Sequence, residues 1–356
     1  MMDEGLLRAA ALGGFWKALD VVASTGSTNA DLLTRAAAVA AAPEGQVLVA
    51  EEQTAGRGRL GRTWTSVPGS ALTFSVLLRP VTVPAERRGW LPLIAGVAVA
   101  SAVRSVTGGG GSGGSGPRGG GSGRAVDAVL KWPNDVLVGE RKLAGILAEQ
   151  SPDGAAVVIG IGLNVATPAD ALPVSPAGLP ATSLLVEGAS VSRAALLLEI
   201  LRQFESWYTA FMADPDPART GLLDAYRPLC VTLGQRVRVE LPVGRVVSGA
   251  ATGVDFDGRL LIADDAGGPP MAISAGDVVH IRPSDGSTMS LWVKTARLRW
   301  ARCPSRYCTP TGRRSRCRCC SRSSSSPCCW WARCLSRRAR RRGSSGSCSP
   351  WSPSCC

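Results

Sequence analysis

Cysteine is almost absent from most of this chain. Of the twelve cysteines in its 356 residues, eleven lie between Cys303 and Cys356, so the first 283 residues carry Cys230 alone. One thiol builds no disulfide framework, which fits a reducing cytoplasm. Long apolar runs are missing too. No uninterrupted stretch reaches the roughly 18 residues that a membrane span needs, and the start, MMDEGLLRAAALGGFWKALD, sets acids beside the first methionines and has no unbroken signal-peptide core. A soluble cytoplasmic protein without a membrane partner is therefore expected. The apparent excess of positive charge disappears once the chain is divided. The total is 40 Lys plus Arg against 27 Asp plus Glu, net +13, but 16 of the basic residues and only Asp285 among the acids lie beyond Pro283. The first 283 residues hold 24 basic and 26 acidic side chains, near −2, so the total makes no case for a specific nucleic-acid partner. Histidine occurs once, at His280, and reads as an edge-strand residue with no catalytic part.

The length suffices for two domains. LDVVAS (19–24) reads as a strand, and the TGSTN turn leads into an alanine-rich helix over 30–41 that Ser27 or Thr28 can cap. Strands are expected at 46–50 and 71–78, then a helix near 91–106. Residues 107–124 are nearly all glycine and serine and read as a flexible surface loop. Strands follow at 125–131, 136–138, 143–149 and 155–164. A helix over 193–212 carries Leu197, Leu198, Leu201, Phe204, Tyr208 and Phe211 at the spacing of one buried face. The expected fold class is α/β of the α+β type: a mixed, largely antiparallel sheet with helices.

From Thr232 the pattern changes to short alternating strands with turns at Asp257-Gly258 and Ala275-Gly276, the signature of a small β-barrel. Domains are thus expected at 15–228 and 229–283. Residues 284–356 are enriched in Arg, Cys, Ser, Trp and Pro at once and show neither helical nor strand period. They read as a low-complexity tail, disordered or translated out of frame. Its CRCC and CC pairs contain no CxxC matched to a second such pair, so zinc is not expected there.

The most informative segment is EEQTAGRGRLGRTW, residues 51–64, between two strand-like runs. Three guanidiniums, Arg57, Arg59 and Arg62, on one deformable glycine backbone call for an anion. Gly56 to Gly61 also satisfies GxGxxG, but a dinucleotide site needs those glycines to open a helix and an acid about 20 residues on. This loop runs into Pro68 and another strand, with Arg79 and Val81 where the acid would stand.

Four segments in order, GSTN (26–29), EEQTAGRGRLGRTW, KWPNDVLVGERKLAGILAE (131–149) and GIGLNV (160–165), resemble the biotin protein ligases, or biotin-[acetyl-CoA-carboxylase] ligases, over roughly 15–283. The resemblance implies a class II synthetase-like catalytic domain followed by an SH3-like β-barrel. It implies ATP and biotin as substrates with Mg²⁺, and a biotin carboxyl carrier protein domain of acyl-CoA carboxylases as the partner, for a cytoplasmic monomer or weak homodimer. By the resemblance Lys142 lies between the biotin carboxylate and the α-phosphate, with Arg57 and Arg59 as its catalytic companions in a closing loop. Ser27, Thr28, Asn29, Gln53 and Gly58 join Arg57, Arg59 and Lys142 around biotin. Arg62, Trp64, Lys131, Asn134, Asp135 and Asn164 match positions at ATP, and Asp135 is the candidate nearest the metal.

Many members carry an N-terminal winged helix that represses biotin synthesis genes. The few residues before Phe15 lead to the expectation of the monofunctional class, leaving a biotin-sensing repressor as the alternative from a different class. The enzymatic alternative is a lipoate-protein ligase. An octanoyltransferase working through cysteine is disfavoured, since residues 1–229 hold no thiol nucleophile.

Overall fold

Alternation of apolar and small or polar residues builds the strands β1 (Ala18–Val22), β2 (Gln46–Ala50), β3 (Ala71–Leu78), β5 (Ala128–Lys131), β6 (Asp135–Val138), β7 (Arg141–Gln150) and β8 (Val157–Asn164). They form one seven-stranded sheet in the order β1-β2-β3-β8-β7-β6-β5. Only β1 and β2 run parallel; every other neighbouring pair is antiparallel. The computed structural model describes residues 2–280 apart from 39–41, 109–121, 174–178, 242–245, 265–267 and 275–276. The expectations for the tail, for most of the 107–124 loop and for the Ala275-Gly276 turn lie outside the described residues. At the ends of that loop, Ser122–Gly123 (β4) pairs with Ala189–Ser190 (β9).

One face of the sheet is covered by α3 (Trp90–Thr107) and α4 (Arg193–Ala213). By length and hydropathy α3 could cross a membrane, yet nearly all its apolar side chains are buried. It is a core helix, packed on β5 to β8 and on α4. Ser192 caps α4 by accepting from the Ala195 N–H. The expected face of α4 is buried at Leu197, Leu201, Phe204, Tyr208 and Phe211, while Leu198 is only partly covered.

Helix α2 (Thr28–Ala38) begins two residues before its expected start. The Ser27 carbonyl accepts the Asp31 N–H, so Ser27 takes the cap position through its backbone. The Thr28 hydroxyl is turned to Ser75 and Gln53 instead.

Helix α1 (Glu4–Ala11) lies along the outer strand β1, where Glu4 accepts from Val21 N–H at 3.3 Å and the Arg8 guanidinium donates to Leu19 O at 2.6 Å. Polar side chains thus occupy free backbone groups of an edge strand. Nearby, Glu51 accepts from Met2 N–H at 2.6 Å and pairs with Arg193 at 2.6 Å. Burial alone would raise its pKa, but the Arg193 and Met2 hydrogen bonds outweigh that and hold it below the ordinary value of 4.5. A depressed carboxylate stabilises above its unfolded pKa and loses that contribution as pH falls through the folded value. Glu51→Gln is expected to lower Tm by about 5 °C at pH 7, with the gap to wild type closing below about pH 4. Thermal melts of both proteins from pH 7 to pH 3 check this, and a gap that widens on acidification would overturn it.

The C-terminal strands β10 (Arg236–Glu240), β11 (Val246–Val254), β12 (Leu260–Asp264), β13 (Met271–Ile273) and β14 (Asp277–His280) form an antiparallel sheet ordered β13-β12-β11-β10-β14. In β10, Val237 and Val239 are buried while Arg236, Arg238 and Glu240 face out. The hairpin turn between β11 and β12 seats against the larger sheet's layer: Trp90 Nε1 donates to Phe256 O at 2.9 Å, Trp132 Nε1 to Gly258 O at 3.0 Å, and Arg87 pairs with Asp257 at 3.2 Å. The short α5 (Leu222–Tyr226) leads into this sheet.

Candidate active site

The cleft is built on the face of the sheet opposite α3. In β8 the alternation of GIGLN sends Ile161 and Leu163 into the core and leaves Gly160, Gly162 and Asn164 on the cleft side. Register places Gly145 beside Gly162, Leu147 beside Gly160, and Thr73 and Ser75 on the other flank. Two adjoining glycines therefore make a floor without side chains. The indole of Trp64 lies on that floor: a Cβ at Gly162 would meet it at 2.3 Å, and one at Gly145 at 3.4 Å. Among the described residues Trp64 Nε1 is buried with no hydrogen-bond partner.

Strand parity alone would put Lys142 on the face opposite Gly145. The β6–β7 register instead shifts between Val136 and Leu137, so that Ala144 pairs with Val136 but Lys142 with Leu137. This bulge adds one residue to β7 and turns Lys142 to the cleft side. Its Nζ comes within 3.4 Å of where a Gly145 Cβ would stand and pairs with Asp135 at 2.7 Å. Its backbone is fixed separately, with Lys142 N–H donating to Pro180 O at 2.7 Å and Thr182 N–H to Lys142 O at 2.8 Å. Asn164 secures the same segment, its amide donating to Thr182 O at 3.0 Å.

The arginine loop folds back on itself, with Arg57 bridging Thr63, Gly58 N–H donating to Arg62 O and Trp64 N–H to Gly56 O. Leu60, at its tip, is exposed and has φ 57°, a backbone strained for a leucine. The base of the loop is stitched to the GSTN turn by Thr54 N–H to Thr25 O and Ala55 N–H to Gly26 O, both 2.9 Å. Across the cleft Arg59 donates to Asn134 Oδ1 at 3.0 Å, while the Asn134 amide donates to Ile146 O at 3.1 Å.

At the other end, Gln53 Oε1 accepts the Thr28 N–H at 2.8 Å, Thr28 Oγ1 lies 2.7 Å from Ser75 Oγ, and Ser75 donates to Asn29 Oδ1 at 2.6 Å. Asn29 Nδ2 donates to Glu149 Oε2 at 2.7 Å. A Cβ at Gly160 would stand 2.2 Å from Asn29 Oδ1, so only glycine admits this amide.

All fourteen residues expected from sequence line one cleft of about 550 Å³: Ser27, Thr28, Asn29, Gln53, Arg57, Gly58, Arg59, Arg62, Trp64, Lys131, Asn134, Asp135, Lys142 and Asn164. The size suits a small-molecule site. Sequence reasoning missed Ser75 and Glu149, which stand behind the lining and hydrogen-bond Thr28 and Asn29, and also Val278 and Val279, which bring the C-terminal sheet to the cleft wall. Two hydroxyl residues at alternate positions, Thr73 and Ser75, in the otherwise apolar, fully buried β3 were the available signal. His280 lies on the outer strand β14, with Nε2 3.2 Å from Thr232 Oγ1. Burial, and then the charge of Lys131, hold its pKa below 6.5, so the ring is neutral near pH 7.

Residues 21–165 match the biotin/lipoate A/B protein ligase family, and residues 232–281 match the biotin protein ligase C-terminal domain. The chain is 43% identical over 285 residues to the biotin–[acetyl-CoA-carboxylase] ligase of Mycobacterium tuberculosis, covering 79% of this chain and 96% of that protein. It is 30% identical to the bifunctional ligase/repressor BirA of Bacillus subtilis, over 70% of this chain and 69% of that one. Among solved structures, the Aquifex aeolicus biotin protein ligase in complex with biotin and ATP superposes with TM-score 0.58 at 27% identity, covering 75% of this chain and all of that one.

Proposed function

We propose, since this chain belongs to the biotin protein ligase family, that its cleft joins biotin to ATP beside Lys142 and then passes the biotinyl group to a lysine of a biotin carboxyl carrier domain. The enzyme is an ATP-dependent ligase that activates biotin and transfers it to protein. A carboxylate oxygen of biotin attacks the α-phosphorus, and pyrophosphate leaves with the electrons of the broken P–O bond. The carrier amine then attacks the acyl carbon, AMP departs and the nitrogen loses a proton.

Two anions must first be held together, so cations belong between them. The observation that carries the assignment is the bulge that turns Lys142 onto the cleft floor, opposite the arginine loop. Arg57 and Arg59 would cover biotin and the adenylate, and Arg62, Lys131, Asn134 and Asn164 would surround the nucleotide. Ser27, Thr28 and Gln53 supply hydroxyls and an amide for the cyclic urea, which is costly to bury unpaired, about 1–3 kcal/mol per group, and Asn29, its own amide held by Glu149 and Ser75, backs them. Trp64 covers the glycine floor and its indole would have to move or stack as ligands enter.

Among the described residues no three His, Cys, Asp or Glu gather to hold a metal, and Asp135 is the one acid lining the cleft. One carboxylate suits Mg²⁺ brought with nucleotide phosphates better than a protein cage would. Asp135 would hold that ion, which when bound offsets phosphate charge. We place the domain boundary at 228/229 and the activity in a reducing compartment, consistent with Cys230, the one cysteine among the described residues, being a buried free thiol.

The test is acid-dependent pyrophosphate release from Mg-ATP, with biotin and lipoate compared at equal concentration. Biotin is expected to be used at least about tenfold faster. Preference for lipoate, or release independent of biotin, would overturn the reading.

A further inference from the structure

Glu149 ends the cleft-side row Gly145, Leu147, Glu149 of β7, and the structure gives it work away from the reacting groups. Its carboxylate can only accept hydrogen bonds. Facing it at 2.7 Å, Asn29 must present its NH₂ group, because the flipped amide would set oxygen against oxygen. The same Nδ2 also reaches Leu147 O at 3.3 Å. Asn29 Oδ1 is thereby turned to Ser75, whose hydroxyl donates to it at 2.6 Å.

Ser75 is fully buried and has one hydrogen, so its Oγ can only accept from Thr28 Oγ1 at 2.7 Å. Gln53 Oε1 lies 3.0 Å from the same Thr28 hydroxyl but already accepts the Thr28 N–H. Two hydroxyl hydrogens serve three oxygen contacts here, and the longest, Thr28 to Gln53, is the one left without a proton, because donation there would set the Thr28 and Ser75 oxygens bare against each other at 2.7 Å instead. With its hydrogen committed to Ser75, Thr28 offers the cleft a lone pair and no donor.

We infer that Glu149 is a positioning residue which, through Asn29 and Ser75, fixes the direction of hydrogen bonding at Thr28 so that this hydroxyl selects a ligand N–H over a ligand carbonyl. The inference rests on the cleft being the biotin site, where that N–H is one of the two on the cyclic urea. Polarised chains of this kind act as a unit, since each hydroxyl's proton is placed by its neighbour.

The experiment compares Glu149→Gln, Ser75→Ala and the double variant Glu149→Gln with Asn29→Asp in biotin-dependent pyrophosphate release. A glutamine can donate as well as accept, so Asn29 is released to turn and Thr28 loses its fixed role. The KM for biotin is expected to rise about tenfold, the effect of one hydrogen bond, with kcat and the KM for ATP within about twofold of wild type. Ser75→Ala is expected to show the same split. In the double variant the carboxylate that replaces the Asn29 amide can only accept, and the amide that replaces the Glu149 carboxylate donates to it, which restores the direction of the chain. Its KM for biotin is expected to return to within about threefold of wild type, the shortfall reflecting the lost bond to Leu147 O and the two oxygens then facing each other there. An unchanged KM in folded Glu149→Gln, or a double variant no better than that single one, would overturn the inference. Failure of wild-type protein to use biotin would overturn the functional reading instead.

Discussion

Lys142→Ala is expected to lower biotin-dependent pyrophosphate release by about 10² to 10³-fold while leaving the fold intact. The side chain ends in the cleft, and its neighbours there are Asp135 and the glycine floor. What holds the local backbone is the pair of main-chain bonds to Pro180 and Thr182, which alanine keeps. The loss should therefore fall on the chemical step, where the incoming carboxylate and the α-phosphate both carry negative charge and the ammonium offsets each. Asp135, left without its partner, adds a third negative charge to the same space. Pyrophosphate release under saturating biotin and Mg-ATP, beside a thermal melt, separates the two effects. A rate within a few-fold of wild type would exclude Lys142 from the chemistry.

That lysine also shows where sequence reading stops. Its presence in ERKLAGIL was legible, but its direction was not, because strand parity predicts the wrong face and only the bulge between β6 and β7 corrects it. Alternation within β8 was readable: GIGLN already separates a glycine face from an Ile–Leu face. The limits of β2 and β3 fell where turn residues and apolar runs placed them. β5 is shorter than expected, starting at Ala128, since Arg124 to Asp127 have no ladder partner in the large sheet. Ser75 and Glu149 escaped notice because their role depends on Asn29, more than 40 and more than 100 residues away along the chain. Trp132, in the KWPND segment, donates across to the C-terminal hairpin, a contact that local pattern cannot encode.

Arg59→Gly is expected to leave adenylation partly intact and to abolish selectivity for the carrier. A mixed anhydride of biotin and AMP reacts with any amine it meets, so the enzyme has to retain it until the carrier lysine arrives. Arg59 spans the cleft to Asn134 Oδ1 at 3.0 Å, and Asn134 is itself anchored to Ile146 on both its amide and its carbonyl. The guanidinium thus ties the tip of the loop to a rigid wall, and a bound phosphate would strengthen the tie through charge-assisted contacts. Glycine removes the tether from a loop that already contains Gly56, Gly58 and Gly61, so the lid should open faster than the intermediate is consumed. The chemistry beside Lys142 is left in place. Wild-type protein given biotin, Mg-ATP and a mixture of bystander proteins is expected to label the carrier alone, whereas the variant should label exposed bystander lysines, more densely the nearer they lie. Streptavidin blotting with mass spectrometric site mapping reads both outcomes. An active variant that still modifies only the carrier would show that retention of the adenylate does not depend on Arg59.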